Sequence, residues 1–459
     1  MTIQHPPAPR GFSRRGFLQL GGGAALVAAA GPALTACSGG GDDITFMYWG
    51  SAYEQTAIKD MLGKYNEEKS NEVPVNGQYT PVGDYETKIS SLVAANTPPD
   101  IGYLGVGQMY DLAGKDQLLN LYDYVDAYPE LTDRLPSSYF WYGPDKLAAN
   151  QLAMGMQILY FNTDSFEAAG LERPPFEATS AWSWDEFVEA AIALTLDDEG
   201  RNPSESGFDA SNVAQFGTIA PFGGGGLNAL LASNGAGYVS EDGLQYTLDS
   251  AEAITVLQNI QDLVYEHRVA PSPAQLGKNA PTTSVQLQTQ RVAMIVDGNW
   301  AMLDLLESEV PFGVAVLPQY QVPLTATGGA AGAIFAATEH PEEAVELYLY
   351  YNDPENVDLF QNGLWAPLQE KYYTDEAEIA KWVGDDFPEH FREVAIDTTL
   401  NHGVTNWDQQ TKNSDSLWQK ITPAMESLQT GDATAEEVAQ GLREEIEPLL
   451  EGTWPVQEL

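Results

Sequence analysis

ITFMYWGSAYEQTAIKDMLGKY, residues 44–65, decides how this chain folds. The apolar run 44–49 shows no helical spacing and reads as a short buried strand. Ile58, Met61, Leu62 and Tyr65 then recur at helical spacing, which predicts a helix with one buried face. The unit repeats immediately. Residues 73–79 read as a strand, Asp84 can cap a helix whose inner face is Tyr85, Ile89, Leu92 and Val93, and IGYL (101–104) is another strand. Strands alternating with helices predict parallel βαβ units with helices on both faces, an α/β fold.

Further along, QILYF (157–161) reads as a strand and Gly170 closes a short helix. Ser183 and Glu186 in SWDE form a capping box, which puts Trp184 in the first turn and marks it as structural. Pro341 suits a helix start, with Ala344, Leu347 and Tyr348 inward. Residues 428–450 read as a charged helical hairpin split near Gly431. There is no internal repeat.

The chain of 459 residues carries 66 Asp and Glu against 21 Lys and Arg, a formal charge of −45. Such a surface repels nucleic acid and anionic headgroups, and it disfavours phosphate or sulfate as ligand. With 43% hydrophobic residues the chain has material for a large core, so it reads as folded.

Cys37 is the only cysteine, so neither an internal disulfide nor a cysteine metal site is available. Arg14 and Arg15 precede a Gly/Ala-rich run, residues 18–33, that is shorter than the roughly 20 residues a spanning helix needs. Paired arginines of this kind match the twin-arginine export pattern. Leu34, Thr35 and Ala36 before Cys37 resemble a lipobox, which signals a thioether-linked diacylglycerol and cleavage before the cysteine. Residues 1–36 are therefore expected to be a signal and 37–43 a tether at the outer face of the cytoplasmic membrane. The alternative for Cys37 is an incidental thiol behind an ordinary cleavage site.

Taken in order, YWGS (48–51), PPDIGYLG (98–105), LYFNTDSFEAAGL (159–171) with SWDEF, VAMIVDGNW (292–300), FGVAVLP (312–318) and HPEEAVEL (340–347) resemble one family. It is the extracellular solute-binding proteins of ABC importers, of the maltodextrin and oligosaccharide type. The resemblance implies a two-lobe, hinged fold of the second periplasmic-binding-protein type, with 44–156 and 329–376 in one lobe and 157–328 and 377–459 in the other. It also implies a carbohydrate held in the cleft, delivery to membrane permease subunits, a monomer, and neither catalytic residues nor cofactor nor metal. Gln290 departs from the pattern, because many relatives have glycine before the AM strand.

Sugars offer hydroxyls at their edges and C–H patches on their faces, so their sites combine polar side chains with flat aromatic rings. By resemblance, Ser51, Tyr53 and Glu54 stand where relatives place polar contacts; Ser51 reads equally well as a helix cap. Gln108 follows the strand at 101–104. Where maltodextrin-specific relatives carry tryptophan, aspartate and arginine, this chain has Leu104, Gly107 and Gln108, which counts against maltose itself. Phe222, Gly223 and Gly224 lie in PFGGGG (221–226), where glycine permits close backbone approach. No Lys-Ser/Thr pair follows, so a phosphate loop is not indicated. Asp297 and Trp300 end DGNW, and Trp300 matches a stacking tryptophan of the family. Trp418 matches a second one, and Trp365 reads as either a cleft residue or a packing residue.

Two other functions stay open at this point. A lipid-anchored glycosidase needs two carboxylates at a set separation, which counting acids does not test. A receptor for a peptide or polyamine cation would use acidic cleft residues. There is no H-E-x-x-H and no G-x-S-x-G.

Overall fold

The computed structural model describes residues 43–69, 73–277, 280–455 and 457. The expected signal and Cys37 lie outside the described residues. Strand β1 (Ile44–Tyr48) is buried at four of its five positions, as befits an apolar run without alternation. Helix α1 (Ala52–Glu68) follows and buries Ile58, Met61, Leu62 and Tyr65, the residues that set its period. Strand β2 (Val75–Tyr79) and helix α2 (Val82–Ala94) repeat the unit, with Tyr85 and Ile89 buried.

Asp84 does not cap α2. The helix starts earlier, behind Pro81, whose φ of −55° already suits it. Asp84 lies instead in the first turn, where its charge favours the positive end of the helix. Strand β3 (Ile101–Leu104), helix α3 (Val106–Gly114) and the paired strands β4 (Tyr139–Gly143) and β5 (Lys146–Gln151) complete this stretch.

Strand β6 (Gln157–Asn162) opens a second centre, and helix α4 (Thr163–Ala169) stops at Gly170, left-handed with φ 66°. Helix α5 (Trp184–Leu194) starts in the predicted Ser183–Glu186 capping box. A short ribbon of β7 (Leu196–Asp197) and β8 (Val213–Gln215) precedes helices α6 (Gly224–Ser233) and α7 (Ala251–Tyr265). Then come β9 (Met294–Gly298), α8 (Ala301–Glu307), β10 (Phe312–Ala315) and β11 (Thr325–Thr327). The chain continues through β12 (Ala331–Ile334) and α9 (Pro341–Tyr351), then β13 (Gly403–Thr405), α10 (Ser414–Thr430) and α11 (Ala435–Ile446). Gly431, with φ 76°, separates the last two helices as read.

Two sheets organise these elements. The larger has the order β2-β1-β3-β12-β5-β4, with β1 parallel to β2 and β3 and with β12 antiparallel to β3 and β5. The smaller is β10-β6-β9, antiparallel throughout. The expectation of parallel units therefore holds around β1 and fails around β6. Between β6 and β9 the chain makes a long helical excursion, so no single crossover helix ties neighbouring strands into a parallel pair.

Leu159, Trp184, Leu257, Leu417 and Leu442 share the core of the second half, so the C-terminal helices pack there. Each such buried side chain contributes roughly 1.5–3 kcal/mol. The chain crosses from β5 to β6 through residues 152–156 and from β11 to β12 through 328–330. These two crossings set the position of the site.

Candidate functional site

Carboxyl ends of strands present their following loops to the crevice of an α/β sheet. The loop after β1 opens with Gly50, where a Cβ would stand 2.2 Å from Glu54 Oε2. Glycine thus lets the Glu54 carboxylate fold back over the start of α1. There it accepts the Ser51 N–H, while Ser51 Oγ accepts the Glu54 N–H at 3.2 Å. Ser51 Oγ also donates to Asp304 Oδ1 on α8, 253 positions along the chain, at 2.7 Å. Burial pushes the Glu54 carboxyl up to about 7; the Ser51 N–H opposes that rise and the nearby charge of Asp304 adds to it. Tyr53, beside them, is 42% exposed.

Across from this wall, each residue of DGNW has its own task. Asp297 accepts from Thr283 Oγ1 at 2.6 Å and from the Gly298 N–H at 2.7 Å, and the Trp300 indole lies beside it. Burial raises its carboxyl above the usual range, these hydrogen bonds oppose that, and Asp304 adds to the rise. Gly298 leaves room for the Trp300 ring, which a Cβ would approach to 2.2 Å. Asn299 clamps the first crossing: its Oδ1 accepts the Met156 N–H and its own N–H donates to Met156 O, both at 3.0 Å. Trp300 itself is 42% exposed, so its indole is held in place yet open to a ligand.

The floor between the walls is glycine. A Cβ on Gly155 would fall 2.1 Å from Gly328 O and 3.4 Å from the Trp300 ring. Gly328 has φ 155°, and a Cβ there would fall 2.6 Å from Asn406 Nδ2. The two crossings thus touch backbone to backbone, and the line from Trp300 through Gly155 and Gly328 reaches Asn406 and then Trp407.

At that end Trp407 stacks on buried Tyr238 with ring centroids 5.0 Å apart, and Trp418 meets both rings at 5.2 and 5.6 Å. The Trp418 indole donates to Asp408 Oδ2 at 2.9 Å. Burial raises the Asp408 carboxyl, and the Trp418 bond counters it. Trp407, Asp304 and Asp408 were not singled out from the sequence. Trp407 had a signal, an isolated aromatic in a polar run, but only the spatial pairing with Tyr238 gives it meaning.

The remaining predicted residues divide. Gly223 and Gly224 at the start of α6 face open space, and Phe222 is half-buried against the second core. Gly225 does the close-approach work instead, since a Cβ there would stand 2.7 Å from Gln157 Nε2. Gln108 turns back into its own half, donating to Glu86 O and Ser90 Oγ at 3.1 Å, and ties α3 to α2. Trp365 is 5% exposed and packs between Tyr351 and Phe360. Packing, the other of its two readings, is where the structure puts it. Asp415 meets the wall at Gly107, where a Cβ would approach the Asp415 Cβ to 2.9 Å. Among the described residues no group of His, Cys, Asp and Glu is arranged to hold a metal ion.

The family model for bacterial extracellular solute-binding proteins matches residues 49–358. An arabinooligosaccharide-binding protein of Halalkalibacterium halodurans is 22% identical over 347 residues, covering 72% of this chain and 72% of that protein. Among solved structures, an ABC substrate-binding protein from Listeria monocytogenes in complex with cycloalternan superposes with a TM-score of 0.73 at 22% identity, covering 88% of this chain and 98% of that one. The maltose/maltodextrin-binding domain from Bdellovibrio bacteriovorus, bound to maltotriose, gives 0.70 at 16% identity over 88% and 99%. At these identities the superpositions speak for a shared two-lobe fold.

Proposed function

The chain belongs to the bacterial extracellular solute-binding protein family, and on that premise we propose that it captures an oligosaccharide between its halves and hands it to the permease of an ABC importer. Trp300 carries this reading. An indole open over 42% of its surface, backed by glycine and with Asp297 beside it, offers a flat face with a polar group at its edge. That is the combination a pyranose or furanose ring needs. The sugars bound by the relatives named above support the ligand class. The lobes are 44–156 with 329–376, and 157–328 with 377–459. Capture changes no bond, and the chain acts as a monomer.

Micromolar binding corresponds to about −8.2 kcal/mol, within reach of two aromatic platforms and several hydrogen bonds after desolvation. Contacts made only when both halves reach the ligand shift the population towards closure. Titrating tryptophan fluorescence with a panel of neutral oligosaccharides tests the reading, with chromatography of the recovered sugar. Saturable quenching by one class, recovered intact, is the expected result. Cleaved sugar would turn the reading to hydrolysis, and competition by a polyamine would turn it to a cationic ligand.

Outside the cleft, residues 1–36 act as the export signal and Cys37 carries the lipid that holds the protein at the outer face of the cytoplasmic membrane. Cys37→Ala then releases the protein into the medium; retention in the membrane fraction defeats the assignment.

A further inference from the structure

Ser51 is where two carboxylates from opposite halves converge. Its Oγ donates to Asp304 Oδ1 at 2.7 Å, and its N–H donates to Glu54. Both acids sit in the first turn of a helix, Glu54 in α1 and Asp304 in α8. On the lobe boundaries proposed above, Ser51 and Asp304 belong to different halves, so this hydrogen bond would break if the halves part.

The surroundings of this contact offer no compensating positive charge among the described residues. From β3, the Tyr103 phenol faces Glu54; it is 2% exposed and its hydroxyl has no hydrogen-bond partner. From β9, Asp297 faces Asp304. The helix Thr283–Gln288 beside α8 supplies Thr283 to Asp297 and has no titratable side chain. Helix α9 meets α1 at its far end, where Lys69 pairs with Glu346 at 3.2 Å.

We propose that Ser51, Glu54 and Asp304 form a latch between the halves, and that closing it takes up a proton at Glu54. When the halves part, Asp304 withdraws and Glu54 faces water, so its carboxyl returns towards the ordinary value of about 4.3. When they meet, burial and Asp304 hold it at about 7. The closed form therefore binds the proton more tightly. By linkage, its advantage is fully present below the open-form value and is lost as the pH rises through about 7. Across that window the closing equilibrium falls by up to about tenfold per pH unit and then levels off. Glu54 and Asp304 are positioning residues here, acting on closure through Ser51.

This inference rests on the jaw-like reading of the two halves, not on the identity of the sugar, so it is tested without ligand. Small-angle scattering of the full mature protein between pH 5 and 8.5 gives the radius of gyration. Wild type is expected to expand as the pH rises to 7 and to stay constant above it. Glu54→Gln keeps an acceptor for the Ser51 N–H, so α1 stays capped, and its radius is expected to be independent of pH. Asp304→Asn is expected to move the transition to lower pH. A flat wild-type profile overturns the latch, and so does a Glu54→Gln profile that follows wild type.

Discussion

Two short stretches of similar composition flank the crossings, and they solve the same problem differently. In DGNW (297–300) Asn299 clamps the first crossing, and Asp297 lies beside the indole of a tryptophan three residues away. In NWD (406–408) Asn406 lies against Gly328 of the second crossing, whereas Asp408 accepts the indole N–H of Trp418. The first platform is one ring made by one turn of chain. The second is three rings, Tyr238, Trp407 and Trp418, gathered from distant segments. A local platform is open and replaceable only as a whole, whereas an assembled one is rigid and redundant.

The floor both share is the place to break the comparison altogether. Gly155→Ala puts a methyl 2.1 Å from the Gly328 carbonyl oxygen, backbone that has no rotamer to yield. We expect a loss of roughly 3 kcal/mol in urea unfolding, the upper part of the overpacking range, with both platforms displaced together. A variant as stable as wild type would mean that the crossings do not touch as described.

The difference between the platforms is sharpened by a pair of truncations. Trp300→Ala should weaken binding of the sugar found in the panel about a hundredfold, or 2–3 kcal/mol, because that platform is a single ring. Trp407→Ala should cost about tenfold, near 1.4 kcal/mol, since Trp418 and Tyr238 remain in place. Calorimetry decides the order. Equal losses would show that the second cluster holds the ligand as tightly as the first, and no loss from Trp300→Ala would remove that residue from the site.

This contrast also explains what the sequence could and could not reveal. Period and capping are local, so α1 with its four inward residues, the Ser183 box and the Gly170 stop were all legible. Trp300 was singled out by resemblance to the family, not by a local signal, although its neighbours Asp297 and Gly298 adjoin it in the chain. Sheet direction is not local: β6 and β9 are neighbours only after a long excursion, and their antiparallel pairing left no mark on either strand. Gln108 and Trp365 were not decided by the sequence, because a polar or aromatic residue behind a strand can turn either way. Gln108 found Glu86 and Ser90 in its own half, and Trp365 found Tyr351 and Phe360. Asp304 was invisible because its partner Ser51 lies 253 positions away.

The smallest effect concerns the turn that leads into the DGNW strand. Gln290 stands there with φ 53°, a left-handed conformation that glycine adopts freely and a side chain with a Cβ does not. That conformation costs about 1–2 kcal/mol for such a residue, whereas glycine costs roughly 0.5–1 kcal/mol through the freedom it gains when unfolded. The turn keeps its shape in spite of that strain because Gln290 N donates to Leu287 O and Arg291 N to Gln286 O, both at 3.0 Å. Gln290→Gly should therefore raise stability by about 0.5 kcal/mol, read as a small rise in the urea midpoint at constant slope, with sugar affinity unchanged. If affinity also changed, the turn would be coupled to Trp300 through β9, and the first platform would be less local than its sequence suggests.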